Sequence, residues 1–243
     1  MMNKLIITGH SQGLGKALAE YYLQENWQVL GISRTLWPQA PENLQQCALD
    51  LADNQRLRQA FAGGMLADFL HDATQWLLIN NAAQVAPNAL AGIAGLEPVV
   101  SSVSLNILAP LLLSEEVIRT APAGSQGGIV HISSGAGRKA YPGWSVYGAG
   151  KAALDHHALC LAAEQHPQLK VASIAPGVVD TAMQAEIRSS SEQNFPLLPR
   201  FLALKREGGL ISAQQAAVAI ARFLASPSFG REVVADIRDW MPV

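Results

Sequence analysis

The sequence predicts an α/β fold: one domain built on a doubly wound parallel sheet, with seven strands in the order 3-2-1-4-5-6-7. Three observations predict it. Short apolar runs alternate with segments of helical period along all 243 residues, the pattern that joins parallel strands through crossover helices. A glycine-rich turn, Gly9-x-x-x-Gly13-x-Gly15, lies between the first apolar run and the first helical segment. No linker, repeat or low-complexity stretch divides the chain, so residues 1–243 read as a single domain.

Leu5 to Thr8 reads as the first buried strand and runs into Thr8-Gly9-His10-Ser11-Gln12-Gly13-Leu14-Gly15. A helix follows, with Leu14, Ala17, Leu18, Tyr21 and Tyr22 on one face. The glycines permit a tight turn and a close approach of backbone to a pyrophosphate, which the free N–H groups of the helix start would hold. The alternative is an ordinary strand–turn–helix connection. Such a turn on such a sheet makes the fold Rossmann-type. Gln28 to Ser33 is the second strand, and Arg34 follows where this architecture meets the adenosine ribose. An acidic residue there binds a 2′-hydroxyl, whereas an arginine accommodates a 2′-phosphate; a solvated loop arginine is the other reading. Leu44 to Leu49 is the third strand. Asp50 and Leu51 at its end sit either against an adenine edge or in a local turn. Asp53 suits the N-cap of a helix carrying Leu57, Ala60, Phe61 and Met65.

Trp76 to Ile79 is the fourth strand, ending in Asn80-Asn81-Ala82-Ala83. Asn80 suits a structural role, while Asn81 and Ala82 would face the cofactor. Glu97 to Thr120 is a long helix that Pro110 kinks. Asn106, beside that kink, either supports the freed carbonyls or holds a water. Gly128 to Ile132 is the fifth strand, and Ser133 and Ser134 place hydroxyls at its carboxyl end, where open parallel sheets bind ligands. The next helix carries Tyr147 and Lys151, then Ala153, Leu154, Ala158, Leu161 and Ala162; His156 and His157 on it read as structural. Val171 to Ala175 is the sixth strand, followed by Pro176-Gly177-Val178-Val179-Asp180-Thr181. Residues 182–209 are irregular, with Pro196, Pro199 and Gly208-Gly209, and suit a substrate lid. Ser212 and Gln215 form a capping box for a last helix through Ala225. Arg231 to Ile237, including Asp236, is the final strand.

Tyr147 and Lys151 are four residues apart and so share one helix face, one turn apart. A phenol ordinarily titrates near 10, and a neighbouring ammonium lowers that value, so the pair suits general acid/base work.

Composition excludes several other classes. Apolar residues make up 49% and charged residues 15%, which fits a globular chain. The net charge is −2 with no basic block, so no nucleic-acid partner is expected. Cys47 and Cys160 have no metal-site or disulfide-framework spacing, and no His-x-x-x-His pair occurs, so no metal is expected. The start is too short for a signal h-region, and no membrane partner is expected because no apolar stretch reaches the roughly 18 residues of a span. A cytoplasmic location is the expectation.

In order and at matching spacing, Thr8-Gly-x-x-x-Gly13-x-Gly15, Asn80-Asn81-Ala82, Asn106, Ser134, Tyr147-x-x-x-Lys151 and Pro176-Gly177 resemble the short-chain dehydrogenase/reductase family over essentially the full length. Ile132-Ser-Ser-Gly-Ala-Gly and Ala175-Pro-Gly-Val-Val-Asp-Thr-x-Met-Gln look like its sepiapterin reductase and benzil reductase branch. Ala83 departs from the family's usual Gly. The resemblance implies reduction of a small-molecule carbonyl, an aromatic diketone or pterin-like ketone, by NADP(H), in a homodimer or homotetramer. It implies a catalytic set in which Tyr147 donates the proton and Lys151 lowers its pKa and binds ribose. Ser134 steadies the oxyanion, and Asn106 carries a water. It implies cofactor contacts at Gly9, Ser11, Gln12, Gly13, Leu14, Gly15, Ser33, Arg34, Asp50, Leu51, Asn81, Ala82, Tyr147, Lys151, Pro176, Gly177, Val179 and Thr181. Substrate contacts fall on Ser134, Tyr147 and Asp236, the last either a pterin anchor or structural. Two other readings stay open: a 3-oxoacyl thioester reductase, which needs a basic patch from Arg119, Arg138 and Lys139, and a non-catalytic NADP(H)-sensing regulator.

Overall fold

The computed structural model describes residues 2–241. Seven parallel strands form one sheet in the order β3-β2-β1-β4-β5-β6-β7, as the sequence predicts. They are β1 Asn3–Thr8, β2 Gln28–Ser33, β3 Leu44–Ala48, β4 Gln75–Asn80, β5 Gln126–Ile132, β6 Leu169–Ala175 and β7 Val234–Asp236. Successive strand side chains point to opposite faces, so each strand feeds two cores. Leu5, Ile7, Leu77, Ile79, Val130 and Ile174 pack under α1 (Gly13–Gln24) and α9 (Ala213–Ala225). Ile6, Leu30, Leu78, Ile129 and Val171 pack on the other face, under α2 (Asn54–Ala62), α3 (Met65–Leu70), α5 (Ala109–Thr120) and α6 (Ser145–Ala163). The expected caps form: Asp53 accepts from the Arg56 N–H, and Ser212 with Gln215 makes both bonds of the capping box.

Three expectations change. Helix α4 (Leu96–Val103) continues through a π-helical segment, Ser104–Leu108, into α5. Pro110 has no N–H to offer the Asn106 carbonyl four residues back, and the Ala109 N–H reaches five residues back to Ser104, so the chain widens into a π-turn. Leu96–Thr120 is then one stretch of 25 residues, long and apolar enough to cross a membrane, contrary to the sequence reading. Its inward side chains, among them Ser102, Asn106, Leu113 and Val117, are buried on protein. Second, residues 182–209 are not irregular throughout: they fold as α7 (Ala182–Arg188) and α8 (Leu198–Arg206). Third, β7 is shorter than predicted, because Ile237–Trp240 closes into a 3-10 turn that Asp236 caps.

A polar seam crosses the α5/α6 side of the sheet. Asn80 Nδ2 donates to His131 Nδ1 at 3.2 Å, and His131 Nε2 lies 3.0 Å from His157 Nδ1. The structural roles expected of Asn80 and His157 are these. His131 is wholly buried, and burial pushes its pKa down to about 3, with the His157 and Lys151 charges adding to the effect. The unfolded chain takes up this proton near 6.5. The stabilisation is therefore full above pH 6.5 and is lost as pH falls toward the folded value, by an amount on the order of a few kcal/mol. Thermal melts of the wild type are expected to fall steeply between pH 6.5 and 4.5, and His131→Gln to flatten that fall; parallel curves would assign the acid lability elsewhere.

Candidate active site

A cavity of about 560 Å³ runs along the carboxyl ends of the strands. It is lined by every sequence-predicted cofactor or substrate residue, from Gly9 to Asp236, and by three members of the catalytic set. Asn106 is the exception. It lies one layer behind, buried, where Gly150 on α6 lets its Cβ come close. Its Oδ1 accepts from the Gln84 N–H at 3.0 Å, and its Nδ2 donates to the Gln84 carbonyl at 2.8 Å and to Ser102. The Asn106 side chain is thus engaged in fixing the loop after β4.

One end of the cavity is a cradle of backbone. Gly9 and Gly13 take the left-handed conformation, at φ 69° and 55°. A Cβ on Gly15 would overlap the Gly9 carbonyl oxygen and Asn81 Nδ2. Thr8 Oγ1 accepts from the Asn81 and Ala82 N–H groups, both at 2.9 Å, and Asn81 Nδ2 donates to the Thr8 carbonyl. The first turn of α1 carries no side-chain cap, so its N–H groups face the cavity ready for phosphate oxygens. Such a cradle fits a dinucleotide. Thr181 covers Gly13, and Val179 is held by its bridge to Ile211. Ala83 keeps out of the left-handed region, so the departure from Gly costs the turn nothing.

At the ribose end Arg34 is exposed, and no carboxylate pairs with it among the described residues. Asp50 accepts from the Ala52 N–H at 3.0 Å in a local turn while lining the same rim. Ser33 Oγ is committed to the Thr35 carbonyl at 2.5 Å and lies 3.1 Å from His10 Nδ1. His10 is wholly buried against Gln46 and does not line the cavity.

At the other end stand Ser134, Tyr147 and Lys151. Ser134 Oγ accepts from the Ala136 N–H at 3.1 Å, which leaves its own proton free to donate. Lys151 Nζ donates to the Ile132 carbonyl at 2.7 Å and sits 5.7 Å from the Tyr147 ring centroid. Both side chains are buried. Burial pushes Tyr147 up to about 12, against the pull of the Ser134 hydroxyl, and pushes Lys151 down to about 8, against the Asp155 carboxylate. The net shift of Tyr147 is therefore upward and set by burial, where the sequence reading considered only the downward pull of Lys151. Desolvation outweighs an ammonium that faces the ring and a carbonyl. At neutral pH Tyr147 is a protonated phenol beside a largely protonated amine, the state that can give up a proton to a carbonyl.

The wall over Tyr147 is aromatic. Trp144 meets the Tyr147 ring edge-on at 5.3 Å, stacks on Phe195 at 4.9 Å and touches Phe201 at 5.1 Å. The two phenylalanines lie in the 182–209 stretch that the sequence reads as a lid, and Trp144 is missed; its signal was the aromatic three positions before Tyr147. Asp236 lines the cavity, and both its carboxylate oxygens accept from Arg238: from the backbone N–H at 3.1 Å, Nε at 2.9 Å and Nη2 at 2.7 Å. Of the three candidates for a basic patch, Arg119 is paired with Glu116, Arg138 with Asp155, and Lys139 is exposed.

Comparison with known proteins fits this geometry. The family model described as short chain dehydrogenase matches residues 3–192. A benzil reductase ((S)-benzoin forming) of Bacillus cereus is 37% identical over 239 residues, covering 94% of this chain and 96% of the relative. A sepiapterin reductase of Meriones unguiculatus is 29% identical, covering 96% and 95%. The crystal structure of a short-chain dehydrogenase/reductase from Burkholderia vietnamiensis superposes with a TM-score of 0.70 at 36% identity, over 98% of this chain and 100% of that one. With a glycine cradle for a nicotinamide cofactor at one end of its cavity and a Ser-Tyr-Lys cluster at the other, this oxidoreductase belongs to the short-chain dehydrogenase/reductase family.

Proposed function

We propose that the protein reduces aromatic ketones, foremost 1,2-diketones of the benzil type, with NADPH. The observation that carries this reading is the buried phenol of Tyr147 beside Ser134, under a wall of Trp144, Phe195 and Phe201. The bound nicotinamide supplies the hydride. Tyr147 gives its proton to the carbonyl oxygen, and the free Ser134 proton donates to the same oxygen as charge develops there. Lys151 has three N–H donors and spends one on the Ile132 carbonyl, leaving two for ribose hydroxyls and for the phenol oxygen. The similarity to benzil reductases favours a diketone over a pterin, as does the commitment of Asp236 to Arg238.

NADPH consumption against a panel of benzil-type diketones, sepiapterin, 3-oxoacyl thioesters and small aliphatic ketones tests this reading. The diketones are expected to give the highest kcat/KM. Trp144→Ala is expected to lower kcat/KM for them by up to about tenfold, the worth of one aromatic pair, and to leave aliphatic ketones nearly unaffected. Faster turnover of aliphatic ketones by the wild type would overturn the assignment.

A homo-oligomer belongs to the same proposal. Leu96, Val100, Val103 and Leu108 are exposed on α4 and the π segment, and Leu159 on the adjacent α6, an apolar surface that a second copy would cover. Sedimentation at micromolar concentration is expected to give a dimer or tetramer, and a monomer would refute it.

A further inference from the structure

The catalytic helix carries a third buried ionisable group that the proposed reaction does not use. Asp155 lies one turn beyond Lys151, as Tyr147 lies one turn before it, so the three side chains share one face of α6. Asp155 is 8% exposed, and a carboxylate so buried is retained only with partners. It has them from two directions. Ser173 Oγ on β6 donates to its Oδ1 at 2.7 Å, and Arg138 Nε, in the loop after Ser134, donates to its Oδ2 at 3.0 Å. Arg138 also donates through Nη2 to the Ala235 carbonyl on β7, next to Asp236. The carboxylate is thus fixed in space by the sheet and by the loop that presents Ser134.

We propose that Asp155 is a positioning residue for the reaction: the buried counter-charge that keeps Lys151 an ammonium beneath the Tyr147 phenol. The proposal rests on the reading of Tyr147 and Lys151 as the proton-donating pair. An ammonium removed from water and held by one carbonyl is costly without an opposite charge nearby, and Asp155 is the carboxylate whose charge acts on Lys151. The other ionisable groups on the elements packed against this helix do not replace it. His131 on β5 stays neutral, Arg138 is itself a cation, Asp236 on β7 is neutralised by Arg238, Glu97 on α4 is exposed, and Lys170 on β6 is an exposed cation. Arg138 draws off part of the Asp155 field. The two partners therefore act on Lys151 with opposite sign: removing the carboxylate weakens the ammonium, and removing the guanidinium strengthens it.

The test is the titration of Lys151 itself, followed through the 13Cε resonance in lysine-labelled protein and assigned with Lys151→Met. Asp155→Asn keeps the side-chain shape and the Ser173 bond, and is expected to move the Lys151 titration down by roughly one pH unit or more. Arg138→Met is expected to move it up. The alkaline limb of the kcat profile for ketone reduction is expected to follow in the same two directions. General loosening of the fold would move both variants alike, so shifts of the same sign, or no shift, overturn the proposal. If Asp155→Asn does not fold, the upward shift in Arg138→Met decides alone. If no ketone is reduced by the wild type, the assigned reaction fails, while the Lys151 resonance still reports on Asp155.

Discussion

Tyr147→Phe is expected to lower kcat/KM for ketone reduction by about 10²–10⁴-fold, the range for loss of a positioned general acid, while NADPH affinity stays nearly unchanged. The substitution removes one hydroxyl. The ring keeps its edge-on contact with Trp144 and its place against Lys151, so the cavity keeps its shape. Two neighbours of the phenol are otherwise engaged: Lys151 Nζ faces the Ile132 carbonyl, and the Asn106 side chain is held by Gln84. Lys151→Ala is expected to lose both turnover and cofactor affinity, because the ammonium serves the phenol and the ribose. Single-turnover kinetics with cofactor binding measured by fluorescence separate the two effects. A Tyr147→Phe protein with most of its activity would assign the proton to another group.

The second large effect is expected at Arg34. The 2′-phosphate of NADPH carries close to two negative charges, and a guanidinium can meet it with two parallel charge-assisted bonds. One such bond is worth roughly 1.5–3 kcal/mol, and about 1.4 kcal/mol is tenfold. The wild type is therefore expected to prefer NADPH over NADH by at least about tenfold in kcat/KM. Arg34 is placed for this: exposed, on the cavity rim beside Ser11 and Thr35, and without a carboxylate partner among the described residues. Ser33 contributes less than its position suggests, since its hydroxyl proton is held by the Thr35 carbonyl. Arg34→Asp is expected to reverse the preference by replacing the partner with a like charge close to Asp50. Steady-state kinetics with both cofactors decide the matter; equal efficiency with NADH in the wild type would mean that Arg34 remains in solvent.

The sequence by itself determined the sheet and its order. Most strands are short apolar runs and most crossovers helices of matching period, and both signals are local: they need only the residues of the element; β3, half of it polar, and the helix-free β2–β3 connection are the weakest of them. The helix starts were equally legible at Asp53 and Ser212, where a side chain accepts from the N–H three residues on and so makes the cap. The Tyr147–Lys151 pair was legible for the same reason, since helical period alone puts the two on one face. What only the tertiary structure decided depends on contacts between distant segments. The direction of the Tyr147 pKa follows from how much water α6, the Ser134 loop and the lid exclude, and spacing along the chain does not encode burial. The burial of His10 under Gln46, the engagement of Asn106 by Gln84 and the meeting of Trp144 with Phe195 and Phe201 join side chains far apart in sequence. Asp155 illustrates the division. Its place one turn past Lys151 is written in the sequence, but its partners Ser173 and Arg138 arrive from another strand and another loop, and only their arrival makes a buried carboxylate tenable beside the ammonium.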